Sequence, residues 1–125
     1  MRPKSAPVLA ASILAAPALA LFLTSAAAAE VPTLSQTADR SMWCATALAR
    51  LEWKGAVNPD DRPRLNAAID RHRDVVLAET QANAVDEAGL NLLIESYADE
   101  VIMQVDDYLV NRSKDALRID IDTCY

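Results

Sequence analysis

His72 is the only histidine of this 125-residue chain, and Cys44 and Cys124 are its only cysteines. One imidazole and two distant thiols cannot build a closed zinc site, which takes four such ligands. His72 falls in an apolar row between Ile69 and Val76, with Arg71 and Arg73 beside it. Two readings fit. The ring can sit hydrogen-bonded at the edge of a core, or it can ligate haem or a metal with Met42 or Met103, as four-helix cytochromes use a His/Met pair. No C-x-x-C-H haem attachment is present. A Ser-His-Asp nucleophile would lack its G-x-S-x-G elbow. Gly55 and Gly89 are the only glycines, so a phosphate loop or dinucleotide fingerprint is excluded. Asp120-Ile121-Asp122 offers two donors for a hard cation, but no loop glycine shapes a site there. We expect no enzyme, no catalytic residue, no metal site and no cofactor, with haem or metal binding through His72 as the alternative.

Carboxylates are the more informative set. Asp86, Glu87, Glu95, Asp99, Glu100, Asp106 and Asp107 occupy the stretch from Asp86 to Asn111, which has no Lys or Arg. Glu95, Asp99 and Asp106 share one helical stripe, and Glu100 and Asp107 share the next. Like charges at such spacing cost a few tenths of a kcal/mol each, so something should offset them. Arg62, Arg64, Arg71 and Arg73 of the preceding helix are the expected partners. Any carboxylate left over forms an interaction face, with Glu95, Asp99, Glu100, Asp106 and Asp107 as its members, for a protein partner with a basic surface. Such pairing would fail as the carboxylates protonate near pH 4, exposing apolar residues such as Leu90, Leu93 and Ile94. That is a route to acid-triggered chaperone behaviour.

These residues need elements to hold them. Ser35 is an N-cap for a first helix that runs to Lys54, with Leu34, Ala38, Met42, Ala45, Leu48 and Leu51 recurring at three and four. Gly55 ends it. The Asn58-Pro59-Asp60-Asp61 turn leads to a second helix from about Pro63 to Gln81. Asn83 is expected to take the left-handed C-cap, and Asp86 to open the third helix. That helix is the best marked: Leu90, Ile94, Tyr97, Val101, Val105 and Tyr108 form its stripe, and it ends near Asn111. From Lys114 to Cys124 helical and strand periods compete. A lone strand would have no partner in this chain, so we expect a short helix. Trp43 and Trp53, ten positions apart, fall about 80° short of sharing a face. Whichever is exposed would suggest an interface.

The first 29 residues read as an export segment. A basic start, Arg2 and Lys4, precedes an uncharged Ala/Leu run that ends in Ala27-Ala28-Ala29, small residues where a signal peptidase cuts. Cleavage would leave residues 30–125 as one small domain. Both Arg2 and Lys4 would go with the segment, so ten of the 12 bases would face all 18 acids, a charge of −8. That balance opposes binding to nucleic acid or to anionic membranes. In an oxidising compartment an even cysteine pair is most simply a disulfide, here Cys44–Cys124. Closing so long a loop is worth roughly 4.5 kcal/mol on chain entropy alone, a large share of such a domain's stability.

A signal, a short helical chain and one disulfide resemble the layout of the acid-stress chaperones of the periplasm. The resemblance is one of layout, and it assigns no residue a role. Together these readings predict an all-α up-and-down bundle of three main helices and a short terminal one. The protein would be periplasmic or secreted, with no stable membrane insertion after cleavage. It would act by protein contact, as a chaperone, an inhibitor or an envelope-stress factor.

Overall fold

The computed structural model describes residues 30–125; the expected export segment, residues 1–29, and the expected cleavage after Ala29 lie outside the described residues. Three helices carry the chain: α1 (Gln36–Trp53), α2 (Arg62–Ala82) and α3 (Glu87–Asn111). Their ends follow local chemistry. The Ser35 hydroxyl accepts from the Ala38 N–H, and Asp86 accepts from the Gly89 N–H. Past α1, Gly55 is left-handed (φ 69°). The Ala56 N–H reaches back to Leu51 O and the Gly55 N–H to Glu52 O, satisfying carbonyls that the helix leaves open. α2 ends in the same bond pattern, from Val85 to Thr80 and from Ala84 to Gln81. There Ala84 (φ 54°), rather than Asn83 (φ −95°), takes the left-handed position. The register of that bond pair sets which residue turns, and it overrides the intrinsic preference of Asn.

α1 is the centre of the described chain, with α2 and α3 packed on it and in little backbone contact with each other. Ser35 pairs with Glu79 and Ser41 with His72, so α2 runs back along α1. Asp39 meets Tyr97, Trp43 meets Gln104 and Arg50 meets Asp106, so α3 runs with α1. The core joins Trp43, Cys44, Ala47, Leu48 and Leu51 to Leu65, Ala68 and Ile69 of α2 and to Val101 and Val105 of α3. Gly89 fits close under the lead into α1. A Cβ there would stand 2.9 Å from Val85 and 3.1 Å from Pro32.

The last segment is neither the expected helix nor a strand. It is a strap: a 3-10 turn at Lys114–Ala116, an extended piece, and a second 3-10 turn at Ile121–Cys124. Side chains close its turns, Ser113 on the Asp115 N–H and Asp120 on the Asp122 N–H. Such bonds compete with helix propagation, and tertiary anchors decide the path. Ile121 and Cys124 are buried in the core, and the Cys44–Cys124 disulfide closes with Cα atoms 5.3 Å apart.

Candidate functional site

Two opposite faces of α1 end differently. Arg40, Cys44, Ala47 and Leu51 face the strap. Met42, Ala45, Thr46, Ala49 and Trp53, spaced by threes and fours, form the other face and have no strap over them. They floor an apolar groove of about 600 Å³. Ile69, Val76 and Leu77 supply one wall from α2; Leu90, Leu93, Ile94 and Ile102 supply the other from α3. Among the described residues, Arg50 and Arg73 are its only charged lining residues. Trp53 is 75% exposed at one end, and Ile94 is 56% exposed on the α3 lip. Apolar residues gathered this way on a soluble surface mark interaction sites, whereas scattered ones do not.

The two tryptophans are thereby told apart. Trp43 is fully buried, and its indole N–H donates to Gln104 Oε1 at 3.1 Å. Trp53 stands out in the groove with the Arg50 guanidinium 4.6 Å over its ring. Arg50 is itself fixed by Asp106, through bonds of 3.0 and 2.8 Å. That pair holds the Asp106 carboxyl below its ordinary range, the Arg50 bond being the largest cause. Of the apolar residues expected to open in acid, Ile94 is already exposed and Leu90 is half-buried, while Leu93 is buried.

Across the molecule, Arg118 of the strap gathers a polar network. Its guanidinium donates to Asp39 at 2.8 and 3.1 Å and to Glu100 at 2.6 Å, and its backbone N–H donates to Gln104 Oε1. The Tyr97 hydroxyl adds a 2.6 Å bond to Asp39. The Asp39 carboxyl is held below its ordinary value, chiefly by the Arg118 bond and against the opposing effect of burial. Burial, and then the Asp39 bond, push the Tyr97 hydroxyl far above the ordinary phenol range. Arg118 is one of two bases in a mixed segment, with no periodic signal to mark it in the sequence.

The arginines of α2 do not meet the carboxylates of α3, because both helices pack on α1 rather than on each other. Arg64 lies over the Tyr125 ring, Arg71 reaches the Cys124 carbonyl, and Arg73 makes a 4.0 Å pair with Asp70 on its own helix. The α3 acids find partners elsewhere: Glu100 on Arg118, Asp106 on Arg50, Asp107 on Asn111. Glu95 and Asp99 are exposed and have no hydrogen bond or ion pair among the described residues. Asp120 and Asp122 both contact Lys114, so an ammonium occupies the place considered for a hard cation.

His72 spans α1 and the strap. Its Nε2 lies 2.6 Å from the Cys124 carbonyl and its Nδ1 3.1 Å from the Ser41 hydroxyl. A carbonyl only accepts, so Nε2 carries the proton, and in the neutral ring Nδ1 accepts from Ser41. Both nitrogens are thus engaged by protein, and Met103 points away at 75% exposure. Among the described residues no three of His, Cys, Asp and Glu are grouped to hold a metal, and no helix is long and apolar enough to cross a membrane. The chain matches no protein-family model, no curated protein and no solved structure.

Proposed function

We propose that this chain is an exported protein, cleaved after Ala29, that works by contact rather than catalysis. In this reading its helices form an up-and-down bundle, and its groove holds an apolar segment of another polypeptide in a chaperone-like or inhibitory role. The observation that carries it is the groove: a nearly all-apolar hollow of about 600 Å³ left open between three helices. Its volume falls within the usual range of binding sites. Its shape, one helix as floor and two as walls, suits the helix-in-groove mode of recognition. The compartment is periplasmic or extracellular, a reading that the alanine-rich leader and the disulfide both support.

The test uses exported, disulfide-bonded protein at neutral pH and an unfolding client whose aggregation is followed by light scattering. Wild type should suppress aggregation, and Ala49→Gln should suppress it far less, because it places a neutral polar side chain on the groove floor without changing net charge. Equal suppression by both proteins, or none by wild type together with no captured partner, would overturn the groove reading. N-terminal sequencing of the same sample should begin at Glu30; a retained Met1 would overturn cleavage.

A further inference from the structure

From the groove and the charges beside it, we infer that its occupant is a basic amphipathic helix of a protein partner. The inference rests on the contact function proposed above and names the chemistry of the partner. The apolar floor runs from Met42 to Trp53, about 16 Å at 1.5 Å per residue. Three turns of a helix cover that length. The occupant's apolar stripe lies on Met42, Ala45, Ala49 and Trp53.

Charge decides the rest. Glu95, Asp99, Ile102 and Asp106 form one stripe of α3, at steps of four, three and four. Ile102 lines the groove, and Asp106 is held by Arg50, which also lines it. Glu95 and Asp99 therefore continue the same lip. They are the carboxylates of that stripe with no partner among the described residues. Other acids of the helix are engaged: Asp86 caps it, Glu100 and Asp106 are ion-paired, and Asp107 bonds Asn111. Glu87 lies in the first turn, where the helix dipole accounts for it. On the facing lip stands Arg73, paired only loosely with Asp70. The groove thus has an acidic lip on α3 and a basic residue on α2. A helix whose Lys or Arg residues flank its apolar stripe on one side fits with that side toward α3.

A second copy fits less well. Each cleaved chain would carry a formal charge of −8, ten bases against 18 acids, and the apolar row of its base-rich helix, α2, is already committed to α1. An anionic membrane is disfavoured by the same lip.

The experiment compares two labelled amphipathic peptides with the same Leu/Ala stripe, one flanked by Lys and one by Glu, titrated by fluorescence anisotropy. At about 50 mM salt the Lys peptide should bind about ten-fold tighter or more, and the preference should collapse at about 500 mM. Glu95→Gln/Asp99→Asn should remove the preference while leaving binding of the Glu peptide unchanged or improved. Ala49→Gln should weaken both peptides. Equal binding of the two peptides would overturn the charge assignment and leave the groove reading standing. Failure of both to bind, with clients still protected, would overturn the helical occupant alone; failure of both with no client protected would overturn the groove reading as well. A dimer by sedimentation that buries Trp53, or binding to anionic vesicles at the groove, would overturn the proposal in favour of that occupant.

Discussion

The strap face and the groove face of α1 are equally apolar in sequence and opposite in fate. Cys44, Ala47 and Leu51 are sealed by a segment with little regular structure. Met42, Ala49 and Trp53, on a helix face of the same length, are left to solvent or to a partner. The difference shows what covering a helix requires. A helix that is apolar all round needs cover on every side. The strap supplies it with point anchors: one disulfide, the Arg118 network, the Arg40–Thr123 bonds and the His72 bond to the Cys124 carbonyl. Each anchor joins residues far apart in the chain, and together they hold a path that neither helix nor strand propensity would choose. Among the described residues, nothing comparable crosses the groove. Its walls come from α2 and α3, each held to α1 and in little backbone contact with the other.

The sharpest way to break this comparison is to truncate each tryptophan. Trp43→Ala should lower unfolding free energy by about 3–5 kcal/mol in guanidinium titrations, since it empties a fully buried site and removes one of the two donors to Gln104 Oε1. Trp53→Ala should cost under about 1 kcal/mol, limited to an exposed cation–π contact. Similar costs at the two positions would mean that the groove is part of the stabilising core. Cys124→Ser comes next. It frees the strap and should cost about 2–5 kcal/mol, with near-ultraviolet dichroism reporting changed surroundings of Trp43. Free thiols in protein from an oxidising compartment would remove the basis of this expectation.

Arg118→Ala should have a smaller effect, about 1 kcal/mol, because its carboxylate partners keep roughly a third of their side-chain exposure and solvent screens them. Its pH dependence has a definite sign. The Asp39 carboxyl is depressed below its ordinary 3.8, so the stabilisation is complete above that value and is lost as pH falls through the lower folded value. The difference between wild type and Arg118→Ala should be flat from about pH 5 to 7 and shrink under strong acid. A difference that grew on acidification would contradict the network. The smallest expected effect is that of Glu95→Gln/Asp99→Asn on stability, within about 0.5 kcal/mol, since both residues are exposed and unpaired. A larger loss would mean that the α3 lip is structural.

Much of the architecture was legible along the chain. Ser35, Gly55 and Asp86 marked helix ends because capping chemistry acts over three or four residues. The stripe from Leu90 to Tyr108 marked α3 because apolar side chains repeat with the helix period, although only Val101 and Val105 of it are fully buried. The cysteine pair named its own bond, since only one pairing was possible. Periodicity also misled. Met42 and Ala45 share a row with Leu48 and Leu51 in the sequence, because one broad stripe does not reveal where the neighbouring helices stop. The Lys114–Cys124 segment was expected to be helical because its spacing allowed it, whereas Ser113 and Asp120 closed short turns and Arg118, Ile121 and Cys124 were each pulled to a distant partner.

Sequence alone therefore determined the local matters: three helices, the caps at Ser35, Gly55 and Asp86, an acidic surplus and the one disulfide available. Tertiary structure alone decided that Trp43 is buried and Trp53 open, that Arg118 rather than the arginines of α2 answers Asp39 and Glu100, and that Glu95 and Asp99 keep their charges unpaired beside an apolar groove. The physical reason is range. Caps and stripes depend on neighbours within a turn or two, while Arg118 and Asp39 are 79 positions apart and meet because the strap folds back across α1.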